Sequence, residues 1–288
     1  MTYGVGERPL PSESEAIGLL KQAVDLGVTF FDTANYYGLA EERIGKSGIL
    51  KNSNVIVETK CAQFLEKGEY FSPSELAAKI RIQVDDSLTK LRIETLPILM
   101  LHGPNQEQIK KGELTEILEK LKSDGKIRFT GVSTRGEEAP LAAIASGFFD
   151  IIQVAYSIAD QRMANQVLLI ANKNNIGVIN RSVFLKGSLT SLRTQLPVGL
   201  ETLRKMSDQA EEIAQSIGID LPTLAIRFVL SNPNITTSLI GTNKIKNLTQ
   251  AIKAVEAGPL PEEIVIKLER LAISDPNQID PAKWPPLQ

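Results

Sequence analysis

Short apolar runs alternate with longer amphipathic segments along nearly the whole chain, and this alternation is typical of a parallel β-sheet covered by helices. Seven of the runs predict strands: Val28–Phe31, Val55–Thr59, Pro97–Leu101, Arg128–Val132, Ile151–Val154, Gly177–Ile179 and Ser238–Ile240. The other segments predict helices: Glu13–Leu26, Glu41–Ile49, Ser74–Lys90, Glu113–Ser123, Glu137–Ser146, Arg162–Asn174, Glu201–Ile217, Lys244–Glu256 and Pro261–Leu271. We therefore expect an α/β fold.

The spacing of these elements favours a (β/α)8 TIM barrel, which takes about 250 residues, over a doubly wound sheet. The GxGxxG fingerprint of doubly wound dinucleotide-binding sheets follows none of the predicted strands. No exact repeat, low-complexity tract or linker divides the chain. We expect a single barrel domain over residues 1–288.

Composition narrows the class of protein. Hydrophobic residues make up 42% of the chain and charged residues 23%, as in ordinary globular proteins. A formal charge of −2 creates no net field that would favour nucleic acid or an anionic membrane. The single cysteine, Cys61, excludes an internal disulfide, no secretory signal is recognisable, and no apolar run approaches the ~20 residues of a membrane-spanning helix. We expect a soluble, cytoplasmic protein that binds neither nucleic acid nor membranes.

The residues that stand just after the predicted strands are mostly polar or ionisable, and these strand ends converge on one face of a barrel. In chain order they are Asp32, Lys60, His102, Ser133, Tyr156, Arg181 and Gly241. Singly, each has an ordinary structural explanation, such as a turn cap or a solvated amine. Together, FFDTANYYG, VETK and ILMLHGP place an acid, a phenol, an amine and an imidazole at three successive strand ends. This convergence predicts an active site, and we expect no metal in it.

FFDTANYYG resembles the signature of the aldo-keto reductases, in which an Asp closes a strand and a Tyr follows five residues later. VETK and LHGP resemble the strand ends that carry the family's Lys and His. The segments GVST, QVAYS, VINRSVFLKGSLT and SLIGTNKIKNLTQAI are similar, in order and spacing, to its cofactor-binding segments. The resemblance covers nearly the whole chain.

The resemblance implies an oxidoreductase that reduces a small-molecule aldehyde or ketone to an alcohol with NADPH. A phenol with an ordinary pKa of about 10 is a poor acid unless a cation stabilises its phenolate. Tyr37 would be the general acid and Lys60 that cation. Asp32 would pair with Lys60, while His102 would donate a hydrogen bond to the carbonyl oxygen. Tyr36 is the alternative proton donor, but the family spacing from Asp32 selects Tyr37.

The resemblance also implies a set of cofactor contacts. Ser133 and Gln153 would hold the nicotinamide carboxamide, and Arg181 would lie against the ring, where many relatives have an aromatic residue. The loop that passes the pyrophosphate would contain Ser182, Leu185 and Gly187.

The 2′-phosphate of NADPH would meet the segment that contains Gly241, Thr242, Lys244 and Asn247. Gly241 and Thr242 are expected to open a helix whose amides receive the phosphate, and Lys244 adds positive charge. This segment lacks the Arg that relatives often have after the Gly-Thr pair. NADPH is therefore favoured, with NADH as the alternative.

The start of the chain departs from the family. The helix Glu13–Leu26 precedes every predicted strand, and Met1–Gly6 is too short and Gly-rich for an ordinary strand. Relatives have a hairpin and a first barrel strand before the segment that matches Thr2–Gly6. We expect a barrel that is N-terminally short, without that hairpin and first strand, and with exposed strand edges.

Two alternatives remain open. The chain could be a catalytically impaired, nucleotide-binding or regulatory member of the same fold, which the missing strand favours and the complete tetrad of Asp32, Tyr37, Lys60 and His102 disfavours. An unrelated barrel that handles phosphate is the other alternative, although no Gly-rich barrel phosphate loop is visible.

Overall fold

The computed structural model describes residues 11–69 and 71–284. Within them lie the strands β1 (Phe30–Asp32), β2 (Ile56–Cys61), β3 (Leu96–His102), β4 (Ile127–Ser133), β5 (Ile151–Ala155), β6 (Gly177–Arg181) and β7 (Thr237–Ser238). The α-helices are α1 (Glu13–Asp25), α2 (Ala40–Ser47), α3 (Pro73–Leu91), α4 (Gln106–Lys110), α5 (Glu113–Ser123), α6 (Glu138–Ala145), α7 (Arg162–Asn165), α8 (Val167–Lys173), α9 (Glu201–Ser216), α10 (Leu221–Leu230), α11 (Ile245–Glu256), α12 (Glu262–Glu269) and α13 (Pro276–Ile279).

The strands form a sheet in which the spatial order is the chain order, from β1 to β7. Neighbouring strands from β1 to β5 pair in parallel, as do β6 and β7. Helical segments connect the successive strands, and the order never reverses as it does at the switch point of a doubly wound sheet. This topology is (β/α)8-like, as the sequence predicted.

Contacts divide the chain into two compact units. The first contains Pro11–Val154 and Ile170–Val178, and therefore β1 to β4, most of β5 and the start of β6. The second contains Ala155–Leu169 and the chain from Ile179 onwards, and in it β6 pairs with β7 through Ile179↔Thr237 and Asn180↔Ser238.

The two faces of the sheet in the first unit differ in chemistry. Because side chains alternate along a strand and residues in register point the same way, one face consists mainly of apolar residues and threonines. This face contains Val57, Thr59, Leu99, Leu101, Val132 and Ile152. The opposite face contains Asp32, Glu58, Lys60, Met100, His102, Ser133 and Gln153. Ionisable groups are therefore concentrated on one face.

Side-chain caps explain several of the helix starts. Ser12 and Ser72 each form a capping box with a glutamate three residues on, at the starts of α1 and α3. Asp220 accepts a hydrogen bond from the amide of Thr223 at the start of α10. The predicted helices of the first unit accordingly match the structure to within one or two residues at each end.

The helix predicted over Arg162–Asn174 is wrong as a single element. The chain leaves the helical conformation at Gln166, with φ −140° and ψ −53°, and this separates α7 from α8. The sequence analysis also missed α4, α10 and α13. Helix α10 (LPTLAIRFVL) is a short and mostly apolar run, and such a run is difficult to distinguish from a buried strand by its sequence pattern alone.

Two expectations stay predictions. The missing hairpin and first strand concern Met1–Leu10, which lie outside the described residues. The single-domain organisation also remains a prediction. Within residues 11–69 and 71–284, no single helix is long and apolar enough to cross a membrane. Helices α9 and α10 together would be long and apolar enough, but they are bent by 90° relative to each other.

Candidate active site

The four predicted catalytic residues lie in the first unit, at neighbouring strand ends. Asp32 ends β1, Lys60 is the penultimate residue of β2, and His102 ends β3. The chain after β1 continues along β2, since the amides of Thr33 and Asn35 donate to the carbonyls of Glu58 and Lys60, each at 2.9 Å.

Tyr37 follows in a turn that closes when its amide donates to Ala34 O at 2.9 Å. The Tyr37 ring packs edge-to-face on the His102 ring, with 5.8 Å between the centroids. The Nζ of Lys60 lies 5.6 Å from the centroid of the Tyr37 ring. Tyr36, the alternative proton donor, is 56% exposed. The geometry therefore brings the phenol of Tyr37 to both an amine and an imidazole.

Lys60 is held by three oxygen atoms. Its side chain is 1% exposed, and its Nζ donates to Asp32 Oδ1 and, at 2.9 Å, to the carbonyl oxygen of Thr33. The third oxygen is Glu58 Oε1, at 3.0 Å. Burial by itself lowers the pKa of Lys60, but the carboxylates of Glu58 and Asp32 outweigh it and raise the pKa above its ordinary value. The ammonium therefore stays charged although it is buried.

The sequence analysis missed Glu58. This residue stands two positions before Lys60, so the two side chains share a face of β2, and its own side chain is fully buried. Burial raises the pKa of Glu58 well above its ordinary value, Lys60 opposes the shift and Asp32 reinforces it. The available signal was a carboxylate within an otherwise buried strand, in the same VETK motif that contains Lys60.

Gln153 links the two carboxylates. Its Nε2 donates to Asp32 Oδ1 at 2.8 Å and to Glu58 Oε2 at 3.0 Å, while its Oε1 accepts from Ser133 Oγ at 2.8 Å. Ser133 and Gln153 are in register on β4 and β5 and are both buried. The two residues expected to hold a carboxamide are therefore joined to each other and, through Gln153, to Asp32 and Glu58.

A charged rim lies beside His102. Gly103 follows it with φ +79°, and a Cβ there would lie 2.7 Å from the Cβ of Glu66, so glycine is required. Glu66 pairs with Arg135 Nε at 2.6 Å. Although partial burial raises the pKa of Glu66, the guanidinium of Arg135 more than offsets it and lowers the pKa. The sequence analysis identified neither residue of this pair.

The second unit contains a cavity of about 700 Å³. Seven of the predicted cofactor residues line it: Ser182, Leu185, Gly187, Gly241, Thr242, Lys244 and Asn247. The sequence analysis missed other lining residues, among them Lys186, Arg193 and Gln250. Arg181 does not line the cavity, and its Nη1 donates to Ser182 Oγ at 3.3 Å.

One wall of this cavity is a strained loop. Ser182, Leu185 and Lys186 all have positive φ, at 67°, 40° and 54°, a conformation that side chains other than glycine rarely adopt. Such positions cost on the order of 1 kcal/mol or more each and concentrate where a backbone is shaped around a ligand.

Another part of the cavity lining differs from the prediction. Gly241 and Thr242 do not open a helix, because α11 begins at Ile245. Thr242 Oγ1 instead accepts from the amide of Lys244 at 3.1 Å in a turn before the helix. A Cβ at Gly241 would meet no atom within 4 Å, so this residue borders open space.

The sequence of this chain is similar to one family model and to several known oxidoreductases. The model of the Aldo/keto reductase family matches residues 1–273. L-galactose dehydrogenase of Arabidopsis thaliana is 30% identical over 311 residues, covering 98% of this chain and 92% of the relative. NADH-specific methylglyoxal reductase of Escherichia coli is 28% identical, covering 83% of this chain and 82% of the relative.

A solved structure agrees with the sequence relatives. The holo form of an aldo-keto reductase from Bacillus halodurans superposes with a TM-score of 0.79 at 25% identity, covering 95% of this chain and 91% of the other. Since the family match runs through nearly the whole sequence and solved members of the family share the fold, the chain belongs to the aldo/keto reductase family.

Proposed function

We propose that this protein reduces an aldehyde or a ketone to an alcohol, with a nicotinamide cofactor, NADPH, as the reductant and Tyr37 as the general acid. The observation that carries the proposal is the position of the Tyr37 ring, 5.6 Å from the Lys60 ammonium and 5.8 Å from the His102 ring. A phenol beside a cation and an imidazole is equipped to release a proton and to stabilise the phenolate that remains.

Each residue of the tetrad has a distinct task in the proposed reaction. Tyr37 donates its phenolic proton to the carbonyl oxygen as that oxygen gains electron density. Lys60 stabilises the resulting phenolate, and Asp32 holds the ammonium in place through their ion pair. His102 donates a hydrogen bond that orients the carbonyl oxygen of the substrate. When bound, the nicotinamide supplies the hydride that goes to the carbonyl carbon.

The cavity of the second unit fits the phosphate-bearing part of such a cofactor. Its volume of about 700 Å³ is within the usual range of small-molecule sites. The lining includes cationic side chains from separate segments, Lys186, Arg193 and Lys244. Gly241 borders open space, so its backbone is accessible to a ligand. In this proposal Ser133 and Gln153 hold the carboxamide, and Arg181 lies against the ring.

The choice of NADPH rests on charge. Lys244 lines the cavity and directly precedes α11, and in this position its ammonium would pair with a 2′-phosphate. The name of the Escherichia coli relative specifies NADH, so family membership does not decide between the two nucleotides. Lys244 is the feature of this chain that favours the phosphorylated form.

The test is to mix the purified protein with NADPH or NADH and a panel of aldehydes and ketones, and to follow the absorbance of the reduced cofactor. We expect turnover with at least one carbonyl class, and a higher kcat/KM with NADPH than with NADH. Calorimetry with both nucleotides accompanies the assay. Tight binding of a nucleotide without turnover would overturn the catalytic proposal in favour of a regulatory, nucleotide-binding member of the family.

A further inference from the structure

Glu58 has no task in the reaction proposed above, yet it lies against the ammonium on which that reaction depends. Its Oε1 is 3.0 Å from Lys60 Nζ, and its Oε2 accepts from Gln153 at 3.0 Å. Asp32 is in register with Glu58 on the adjacent strand, and it also contacts Lys60 Nζ. Asp32 and Glu58, the carboxylate pair, thus share one ammonium.

A count of charges shows why this arrangement needs a proton. If both members of the carboxylate pair were ionised, the cluster with Lys60 would carry one net negative charge. Glu58 and Lys60 are 0% and 1% exposed, so water contributes little to stabilising that charge. Two carboxylates that share a buried site hold one proton between them for this reason.

The contacts indicate which carboxylate holds the proton. Asp32 accepts hydrogen bonds from both Lys60 and Gln153, and 19% of its side chain is exposed. Glu58 Oε1 accepts no hydrogen bond of acceptable geometry in the described part of the chain, although Lys60 is close. The negative charge is therefore better stabilised on Asp32, and the proton belongs to Glu58.

The groups that face Glu58 from adjacent elements do not change this assignment. On β3, its register neighbour is the apolar Ile98, and Met100 lies beside Lys60. The ionisable group of β3 is His102, at the end of the strand, and β5 presents the neutral amide of Gln153. From the segment after β1 comes the phenol of Tyr37, which is near Lys60.

We propose that Glu58 is a positioning residue: it holds a proton at neutral pH, so that the charge of Lys60 is opposed by one carboxylate, Asp32, and remains able to stabilise the Tyr37 phenolate. This inference rests on the proposed function, because it concerns the strength of Tyr37 as an acid. Loss of the Glu58 proton in alkaline solution brings a second negative charge to Lys60. The phenolate is then less stabilised, and reduction slows.

The first test needs no turnover. Infrared spectra of the full-length protein at neutral pH, where exposed carboxyls are ionised, should contain the carbonyl stretch of a protonated carboxylic acid. We expect Glu58→Gln to remove this band. The matched control is Glu41→Gln, which replaces a carboxylate that is 1% exposed but accepts its hydrogen bond from Thr59 at 2.6 Å rather than contacting Lys60, and which should retain the band.

The second test compares kinetics with spectroscopy. In the wild type, the infrared band should disappear with rising pH, and kcat/KM for reduction should fall with the same midpoint. Glu58→Gln, neutral at every pH, should lose this inflection while KM for the carbonyl substrate stays within about twofold. If Glu58 were needed only for folding, the pH midpoint of the infrared band and the pH midpoint of kcat/KM would not coincide.

The outcomes separate the two proposals. A wild-type protein without turnover would overturn the proposed function, while the infrared band would still decide the protonation of Glu58. Absence of a band that depends on Glu58, or a pH profile that Glu58→Gln leaves unchanged, would overturn the positioning role. If Glu58→Gln does not fold, the infrared band of the wild type and its pH midpoint decide the question. A band that persists at a pH above the ordinary pKa range of carboxyl groups supports the inference, and the absence of the band overturns it.

Discussion

The Nζ of Lys60 lies 3.0 Å from Oε1 of Glu58, a carboxyl group as deeply buried as the ammonium itself. The contact exists because both residues lie on the same face of β2, two positions apart. It gives the tetrad of this aldo/keto reductase a second carboxyl group, whose effects on activity and on stability are both measurable.

Replacing Tyr37 with Phe should remove the proton donor and leave the ring. Since general acid catalysis contributes about 10²- to 10⁴-fold, we expect kcat for carbonyl reduction to fall by that factor. The edge-to-face packing on His102 is preserved, so circular dichroism and nucleotide affinity should not change. Tyr36→Phe is the matched control and should retain wild-type kcat. An equal loss in both variants would contradict the assignment of Tyr37.

Replacing Lys60 with Met should strongly destabilise the fold. It removes the cation from the carboxylate pair, and breaking a buried ion pair in this way costs about 3–5 kcal/mol. Urea denaturation measures the free energy of unfolding. The double variant Lys60→Met/Asp32→Asn should recover part of the loss, because no ionised carboxylate then remains without its cation. Additive losses would show that Lys60 and Asp32 are not coupled.

The stability of the protein should depend on pH through Glu58. Its pKa is raised above the ordinary 4.5, so the folded state holds a proton that the unfolded state releases as the pH rises above that value. The resulting stabilisation is complete below about pH 4.5 and declines as the pH rises towards the folded pKa, by up to about 1.4 kcal/mol per pH unit. As the pH rises above about 4.5, the wild type should therefore lose stability relative to Glu58→Gln, until the folded-state carboxyl group has also lost its proton. Parallel stability curves for the two proteins would refute this prediction.

Replacing Lys244 with Ala should weaken NADPH binding. The loss of a charged contact with the 2′-phosphate should raise the Kd by roughly tenfold, while NADH, which lacks that phosphate, should bind unchanged. Lys253→Ala, at an exposed position near the end of the same helix α11, is the control, because Lys253 does not line the cavity. Calorimetry would contradict the assignment if both nucleotides lost affinity equally.

Replacing Gly241 with Val should reduce nucleotide affinity without reducing stability. A Cβ there enters open space at the cavity wall, so the free energy of unfolding should change by only about 0.5 kcal/mol. The added methyl groups would occupy volume that the ligand requires. Gly18→Val, at another glycine with open surroundings but outside the cavity, should leave nucleotide binding intact.

The predicted strands and most of the predicted helices are present because local signals specify them. Ser72 and Glu75 define the start of α3, and the apolar run before His102 defines β3. The break at Gln166 was missed because a backbone turn inside an amphipathic run does not interrupt the apolar pattern. Helix α10 was missed because a short and mostly apolar run is difficult to assign to a helix or a strand from its pattern alone.

The sequence by itself determined the order of the strands and the identity of the groups at their ends, because hydrophobic periodicity and residue type are local properties. Only the tertiary structure decided that Glu58 joins Asp32 and Gln153 around Lys60. That cluster depends on the parallel register, which brings residues separated by up to 121 positions within hydrogen-bonding distance. Burial then raises the pKa of Glu58, and burial is a property of the whole packed sheet rather than of any segment.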